Sequence, residues 1–500
     1  MNSIDAQGGH PRYGNYIGGH QVAARENESF VSINPTTGRE WGTFAQSTAA
    51  DVDDAVLAAS AALKGPWGRL SPSARGRLLI AWGEKIAEHA LPIATLETEQ
   101  NGKLLAEMHA QAKIVKDWLF YFGGLADKVE GSVIPLERPS VLNYTLREPL
   151  GVISVIVPWN SPTLITIMSM APALAAGNTI VLKPSEITSA SAFELARLAE
   201  AAGIPAGVIN VVTGARESGD ALVTHPGVAK IFFTGSEPAG RSIAAKAGSR
   251  LAGCTLELGG KSANIVFADA RLDQAEAGVL AGIFAAAGQT CIAGSRAYVH
   301  RSIYEPFVER LVARARQIRL GNPLLAETQM GPVATSAQLA KDITMVGQAR
   351  EDGAELLCGG TRATVPGYED GLFFEPTIFG GTTRAHRIMN EEVFGPVLCV
   401  TPFDDDEEVL AEANGTRFGL AAGMWTCSLQ RAHSFAKRLE AGTVWINMYR
   451  ALAFNSPFGG YKASGVGRVN GAQAIEQYLQ TKSVWCELGN EVQDPFVLRT

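Results

Sequence analysis

The stretch from Gly151 to Phe233 constrains the fold more than any other part of the chain. "GVISVIVP" is a β-branched run stopped by Pro158, which suits a strand covered on both faces. Similar runs recur at "NTIVL" (Asn178 to Leu182), "GVINVV" (Gly207 to Val212) and "AKIFF" (Ala229 to Phe233), with helical stretches such as "SASAFELARLAEAAG" between them. Buried strands separated by about 20–30 residues and by helices predict βαβ units and a doubly wound parallel sheet. Each run ends in a turn of polar or small residues: "PWNSP", "KPSE", "VTGA" and "FTGS". Ligands bind beyond the carboxyl ends of strands in open α/β sheets, so these turns are the expected rim of a cofactor site.

The flanking regions read differently. The first 130 residues look mainly helical, with "DVDDAVLAASAAL" (Asp51 to Leu63) repeating apolar positions at three-to-four spacing. "SVLNYTLREPLG" (Ser140 to Gly151) alternates instead, as a half-exposed strand would. A second α/β lobe is expected from about Leu258 to Met448, and the strand-like "TKSVWCELG" closes the pattern. A chain of 500 residues exceeds one simple core, so two or three lobes are expected.

Composition removes several function classes. A net charge of −7 argues against a nucleic-acid partner and against a polybasic membrane anchor. No apolar run reaches membrane-spanning length, and the start has neither the basic nor the apolar region of a signal peptide, so the chain reads as cytosolic. The six cysteines show no CxxC spacing and the eight histidines no HExxH, so no metal is expected.

Three side chains then stand out. "AAAGQTCIAGSR" places Cys291 behind small residues, at the expected end of a helix running to Gly288. A lone cysteine is usually a small buried hydrophobe, whereas a nucleophilic one needs backbone donors or positive charge beside it. Glu257 in "TLELGGKS" sits inside an apolar stretch, where burial raises a carboxyl toward general-base duty, although a paired structural glutamate is the commoner outcome. Asn160 in "VPWN" follows a buried strand, where its amide is either a developing oxyanion's donor or an ordinary turn residue.

Seven blocks occur in order: "VPWNSP", "KPSE", "FTGS", "LELGGKS", "GQTC", "EEVFGPV" and "PFGGYKASG". Together they resemble the aldehyde dehydrogenase superfamily from about residue 20 to 485. The resemblance implies a modified Rossmann NAD-binding domain (1–127 and 148–257), a catalytic α/β domain (258–455) and a small β extension for oligomerisation (128–147 and 480–495). It places the nucleophile on Cys291, the general base on Glu257 and the oxyanion-hole amide on Asn160. Aldehyde oxidation would then pass through a thiohemiacetal and a thioester on Cys291, the latter hydrolysed by Glu257-activated water.

By the same resemblance, Lys183, Ser185 and Glu186 meet the adenosine ribose, Gly214 borders the adenine, and Gly235 and Ser236 face the pyrophosphate. Glu392 and Phe394 hold the nicotinamide end, and Pro158, Trp159, Phe233, Thr234 and Leu258 complete the cofactor site. A carboxylate at Glu186 favours NAD over NADP, because it repels a 2′-phosphate. The aldehyde tunnel falls on Ser161, Ile165, Met168, Ala285, Thr290, Ile292, Leu452 and Phe458. Several of these positions carry Phe or Trp in relatives, so a roomy apolar pocket for a bulky or aromatic aldehyde is expected. Arg450 either pairs with a substrate carboxylate or belongs to the rim. The expected assembly is a homodimer or homotetramer. The rivals are a CoA-acylating (semi)aldehyde dehydrogenase, a cysteine hydrolase without redox chemistry, and a silent structural relative.

Overall fold

Five parallel strands form the centre of one sheet in this computed structural model, which describes residues 10–490 and residue 496. They are Val152–Ile156, Thr179–Lys183, Ile209–Val211, Val228–Thr234 and Gly253–Glu257. The first four coincide with the β-branched runs, because only strands covered by helices on both faces can bury such sequences completely. In space, Val152–Ile156 lies between Val228–Thr234 and Thr179–Lys183, with Gly253–Glu257 and Ile209–Val211 outside them. Chain direction across the sheet therefore reverses between Val152–Ile156 and Val228–Thr234. The crevice at such a switch point is where α/β sheets bind ligands.

The edges of this sheet depart from expectation. Residues 12–45 hold short strands rather than helices, and Asn15–Ile17 and His20–Val22 extend the sheet antiparallel beyond Ile209–Val211. Ser29–Asn34 and Arg39–Ala45 pair in a second small sheet. Helices begin only at Ala49–Lys64, followed by Pro72–Glu88, Ala90–Asn101 and Leu105–Leu125. At the other edge, Gly465–Val466 pairs antiparallel with Gly253–Glu257, placing Gly465 opposite Glu257.

A seven-stranded sheet makes the second layer. Its strands run in the order Glu355–Cys358, Thr377–Gly380, Val397–Phe403, Arg296–His300, Ala263–Val266, Ala421–Trp425 and Thr443–Ile446. A separate apolar core surrounds it, with Val279, Ile283 and Phe284 of the helix Leu272–Phe284 packed inward. A further sheet joins Val133–Ile134, Val141–Pro149 and Leu479–Glu487. Residues 491–495, assigned from sequence to the oligomerisation strands, lie outside the described residues. No helix among the described residues is long and apolar enough to cross a membrane.

Candidate active site

The segment carrying Cys291 is held in an unusual backbone. The α-helix ends at Phe284, four residues before the Gly288 expected from sequence. Ala286 (φ 57°), Ala287 (φ 51°) and Gly288 (φ 72°) then adopt left-handed conformations in succession. Each alanine costs roughly 1–2 kcal/mol in that region, so surrounding contacts must impose the turn. One such contact is close: a Cβ at Gly288 would lie 2.0 Å from the Gly395 carbonyl oxygen. Another is Gln289, fully buried, whose Oε1 accepts the Ala334 N–H at 2.8 Å. Cys291 itself keeps part of its surface open.

Asn160 and Glu257 reach this loop from the other sheet. Asn160 follows the strand Val152–Ile156, is 4% exposed, and donates from Nδ2 to the Gln289 carbonyl at 3.1 Å. An amide NH2 has two donors, so one N–H anchors the side chain and a second remains for a ligand oxygen. Glu257 ends its strand buried, and neither carboxyl oxygen has a hydrogen-bond partner. Gly459 leaves the space it occupies; a Cβ there would sit 2.9 Å from Glu257 Oε1. Burial holds the Glu257 carboxyl well above the usual carboxylate range, with Arg468 opposing.

The thiol is likewise unfavourable to ionise. Burial pushes Cys291 up to about 12, reinforced by the negative fields of Glu392 and Glu257 and opposed by Lys103 and the Ile292 N–H. The thiol therefore keeps its proton at neutral pH, and the Glu257 carboxyl keeps its proton to higher pH than an exposed carboxyl does. A positive charge arriving at the site would move both pKa values down.

Most of the residues assigned to a cofactor from sequence lie at or just beyond the carboxyl ends of the central strands. Phe233 and Thr234 end their strand, and the buried Thr234 Oγ1 lacks a partner. Gly235 donates to the Glu257 carbonyl at 3.1 Å, and Ser236 opens the helix Glu237–Ser249. Leu258 packs on Gly240, where a Cβ would lie 2.5 Å from Leu258 Cδ2. Pro158 and Trp159 leave the central strand, and Trp159 meets Phe394 edge-on with ring centroids 5.5 Å apart. Phe394 is held at φ 65°. Glu392 accepts the Gly260 N–H at 3.0 Å. On the far side, Lys183 is buried and lies 4.0 Å from the half-exposed Glu186. Ser185 Oγ accepts the Ile187 N–H at 3.3 Å, and Gly214 takes φ 133°. A helix N-terminus, an orphaned hydroxyl and glycine-lined walls fit a dinucleotide with an anionic centre.

Sequence reasoning missed the support behind Glu392 and Phe394. Gln338, in the helix Ser336–Glu351, donates to the Val393 carbonyl at 3.0 Å and to Asp342 Oδ1 at 2.7 Å. Asp342 packs in turn against Gly395, where a Cβ would lie 2.2 Å from Oδ1. No short motif marks such contacts.

Of the predicted pocket residues, Met168, Ile292 and Phe458 are largely buried, and Ser161 is 8% exposed. Ile165 and Leu452 are partly open and pack against the same core as Cys291. Ala285 and Thr290 are partly open on the thiol loop. Arg450 is not a free cation: it pairs with Glu107 at 2.9 Å and donates to the Ala281 carbonyl at 3.3 Å. Its charge is thus already neutralised within the chain. Lys103, unremarked in the sequence, reaches Ser161 Oγ at 3.5 Å from a buried position.

Residues 22–484 match the model of the aldehyde dehydrogenase family. The chain belongs to the aldehyde dehydrogenase family. It is therefore an oxidoreductase of the aldehyde group. Betaine aldehyde dehydrogenase of Brucella melitensis is 42% identical to this aldehyde dehydrogenase over 487 residues, covering 97% of this chain and 99% of that protein. The crystal structure of Staphylococcus aureus betaine aldehyde dehydrogenase with NAD+ matches it at a TM-score of 0.95 and 37% identity, over 97% of this chain and 96% of that one. The NAD+ complex of a Bacillus cereus aldehyde dehydrogenase matches at a TM-score of 0.93 and 40% identity, over 96% and 97% of the two chains. The α/β architecture expected from sequence is the one these structures share.

Proposed function

We propose that this aldehyde dehydrogenase oxidises an aldehyde to its carboxylic acid with NAD, using Cys291 as nucleophile, Glu257 as base and Asn160 as oxyanion donor. One observation carries the reading: the Asn160 amide is anchored on Gln289, two residues before a partly open thiol, with a second N–H unspent. Pro158, Trp159, Phe233, Thr234, Gly235, Ser236, Leu258, Glu392 and Phe394 would hold the dinucleotide, with Lys183, Ser185, Glu186 and Gly214 at its adenosine end. When bound, NAD accepts the hydride, and its cationic ring favours the thiolate over the thiol.

The residues of the chain do the rest. The Cys291 thiol gives its proton to water, and its sulfur forms a bond to the aldehyde carbon. The carbonyl oxygen becomes an oxyanion, stabilised by the free N–H of Asn160 and the Cys291 backbone N–H. As the oxyanion collapses, the carbon loses hydride and a thioester remains on Cys291. Glu257 in its ionised form takes a proton from the water that attacks the thioester and expels the thiolate, and it passes that proton to solvent before the next turnover. A carboxyl with two unpartnered oxygens is suited to binding that water, which supports water rather than CoA as the acyl acceptor. A carboxylate at Glu186, 4.0 Å from Lys183, would repel a 2′-phosphate held there, which supports NAD over NADP.

The substrate is a bulky or aromatic aldehyde in this reading, because Ser161 and Ala285 are small and Met168 is flexible. A quaternary ammonium such as the betaine aldehyde named for the relatives is best bound by several aromatic faces, and among the proposed pocket residues only Phe458 is aromatic. NADH formation and kcat/KM for benzaldehyde, acetaldehyde and betaine aldehyde test this, alongside Cys291→Ala. Benzaldehyde should be preferred and the variant inactive. A preference for betaine aldehyde overturns the substrate assignment alone, whereas an active variant overturns the mechanism. The sheet of Val133–Ile134, Val141–Pro149 and Leu479–Glu487 exposes Val133, Leu142, Leu146 and Trp485, which supports a dimer or tetramer paired through it.

A further inference from the structure

The helix that starts beside Asn160 does not cap itself. Pro162–Ala175 has Ser161 at its N-cap position, yet the Ser161 hydroxyl accepts none of the helix N–H groups and instead receives Lys103 Nζ at 3.5 Å. Pro162 has no N–H, so the first donor of the helix is Thr163 N. That donor is taken by a different helix. Glu97, in Ala90–Asn101, accepts the Thr163 N–H at 2.9 Å and the Thr163 hydroxyl at 2.5 Å. Glu97 is 1% exposed, and Ser191 also donates to it.

The same helix end holds the residue before Asn160. Asn101 Nδ2 donates to the Trp159 carbonyl at 3.2 Å, while its Oδ1 accepts the Lys103 N–H at 2.9 Å. Asn160 is thus bracketed at Trp159, Ser161 and Thr163 by contacts from one seven-residue stretch, Glu97 to Lys103. We propose that Glu97 is a positioning residue for the oxyanion amide: its buried carboxylate, capping the Pro162–Ala175 helix from outside, fixes where Asn160 points. Burying a carboxyl merely to end a helix is costly, since Ser161 stands where a hydroxyl cap would serve. The bond pair to one threonine leaves the following turn little freedom.

This inference rests on the oxyanion role assigned to Asn160. The test is a double-mutant cycle on the full chain, reading NADH formation for wild type, Glu97→Gln, Asn160→Ala and the double variant. Glu97→Gln should lower kcat about tenfold, since small misplacements of a reacting group carry large rate costs. KM for NAD should stay unchanged, and the second substitution should add less than about twofold to Asn160→Ala. Equal losses in both backgrounds, or no loss at all, overturn the positioning role. Should Glu97→Gln fold poorly, Thr163→Val removes only the hydroxyl donor and is held to the same non-additive outcome. Should Asn160→Ala retain full kcat, the oxyanion reading itself fails and takes this inference with it.

Discussion

Asn160 Nδ2 donates to the Gln289 carbonyl across 3.1 Å, tying an amide that follows the cofactor sheet to a loop that precedes a strand of the other sheet. The bond spends one N–H to hold the second in place. Preorganisation of this kind is what makes an oxyanion donor effective, because no reorientation is needed as charge develops. Asn160→Asp keeps the shape but removes both donors and places a carboxylate against a carbonyl. It should lower kcat by about 10²–10³, the usual loss for one oxyanion donor, as read by steady-state NADH formation.

Glu257 supplies a second expectation. Glu257→Gln cannot take a proton from water, so the thioester on Cys291 should persist. Mass spectrometry of the variant quenched after aldehyde and NAD should find the acyl adduct, which wild type clears. An adduct-free variant with slow turnover would instead place the defect before hydride transfer.

Thiol ionisation sets the pH behaviour of the free enzyme. With burial holding Cys291 near 12, the thiolate fraction and the rate of alkylation by iodoacetamide should climb steadily as pH rises from neutral. Lys103 is the cation opposing that shift and burial lowers its own pKa to about 8, so Lys103→Met should slow alkylation below about pH 8 and the difference should fade above it. Faster alkylation of the variant would contradict the assignment.

Asp342 makes stability depend on pH. Burial raises its carboxyl to about 7, and one oxygen has no partner. The folded state then binds a proton that the unfolded state has already released. Its contribution is present below the unfolded pKa and is lost as pH climbs through the folded value. Asp342→Asn should therefore remove a fall in Tm between about pH 4 and 7, seen by calorimetry of both proteins across that window.

Gly288 tests the contact between the two active-site loops. Gly288→Ala needs a left-handed alanine and drives its Cβ onto the Gly395 carbonyl. The thiol loop and the Glu392–Phe394 loop should separate, raising KM for NAD and lowering kcat together. A variant with wild-type kinetics would show that the close approach carries no function.

The central sheet was legible because burial on both faces leaves a local signature, continuous β-branched runs with abrupt polar ends. Short edge strands such as Asn15–Ile17 leave none; their pairing depends on Ile209–Val211, nearly two hundred residues away. Cys291, Glu257 and Asn160 were found through ordered motifs, not through any property of each residue alone. The sequence left Arg450 open between a substrate contact and the rim, because its partner, Glu107, lies on a distant helix. The same distance hid Glu97 and Gln338. The end of the thiol helix was placed too late, since nothing in "AAAG" announces left-handed alanines that a remote carbonyl enforces.

The sulfur proposed as nucleophile hangs from a loop of one sheet, while the amide and the carboxyl proposed to serve it leave strands of the other. Neither half of the molecule, folded alone, could perform even a diminished version of the reaction. Turnover consequently reports on whether the two layers are seated together, and any partial unfolding that parts them should silence the enzyme before much of its secondary structure is lost.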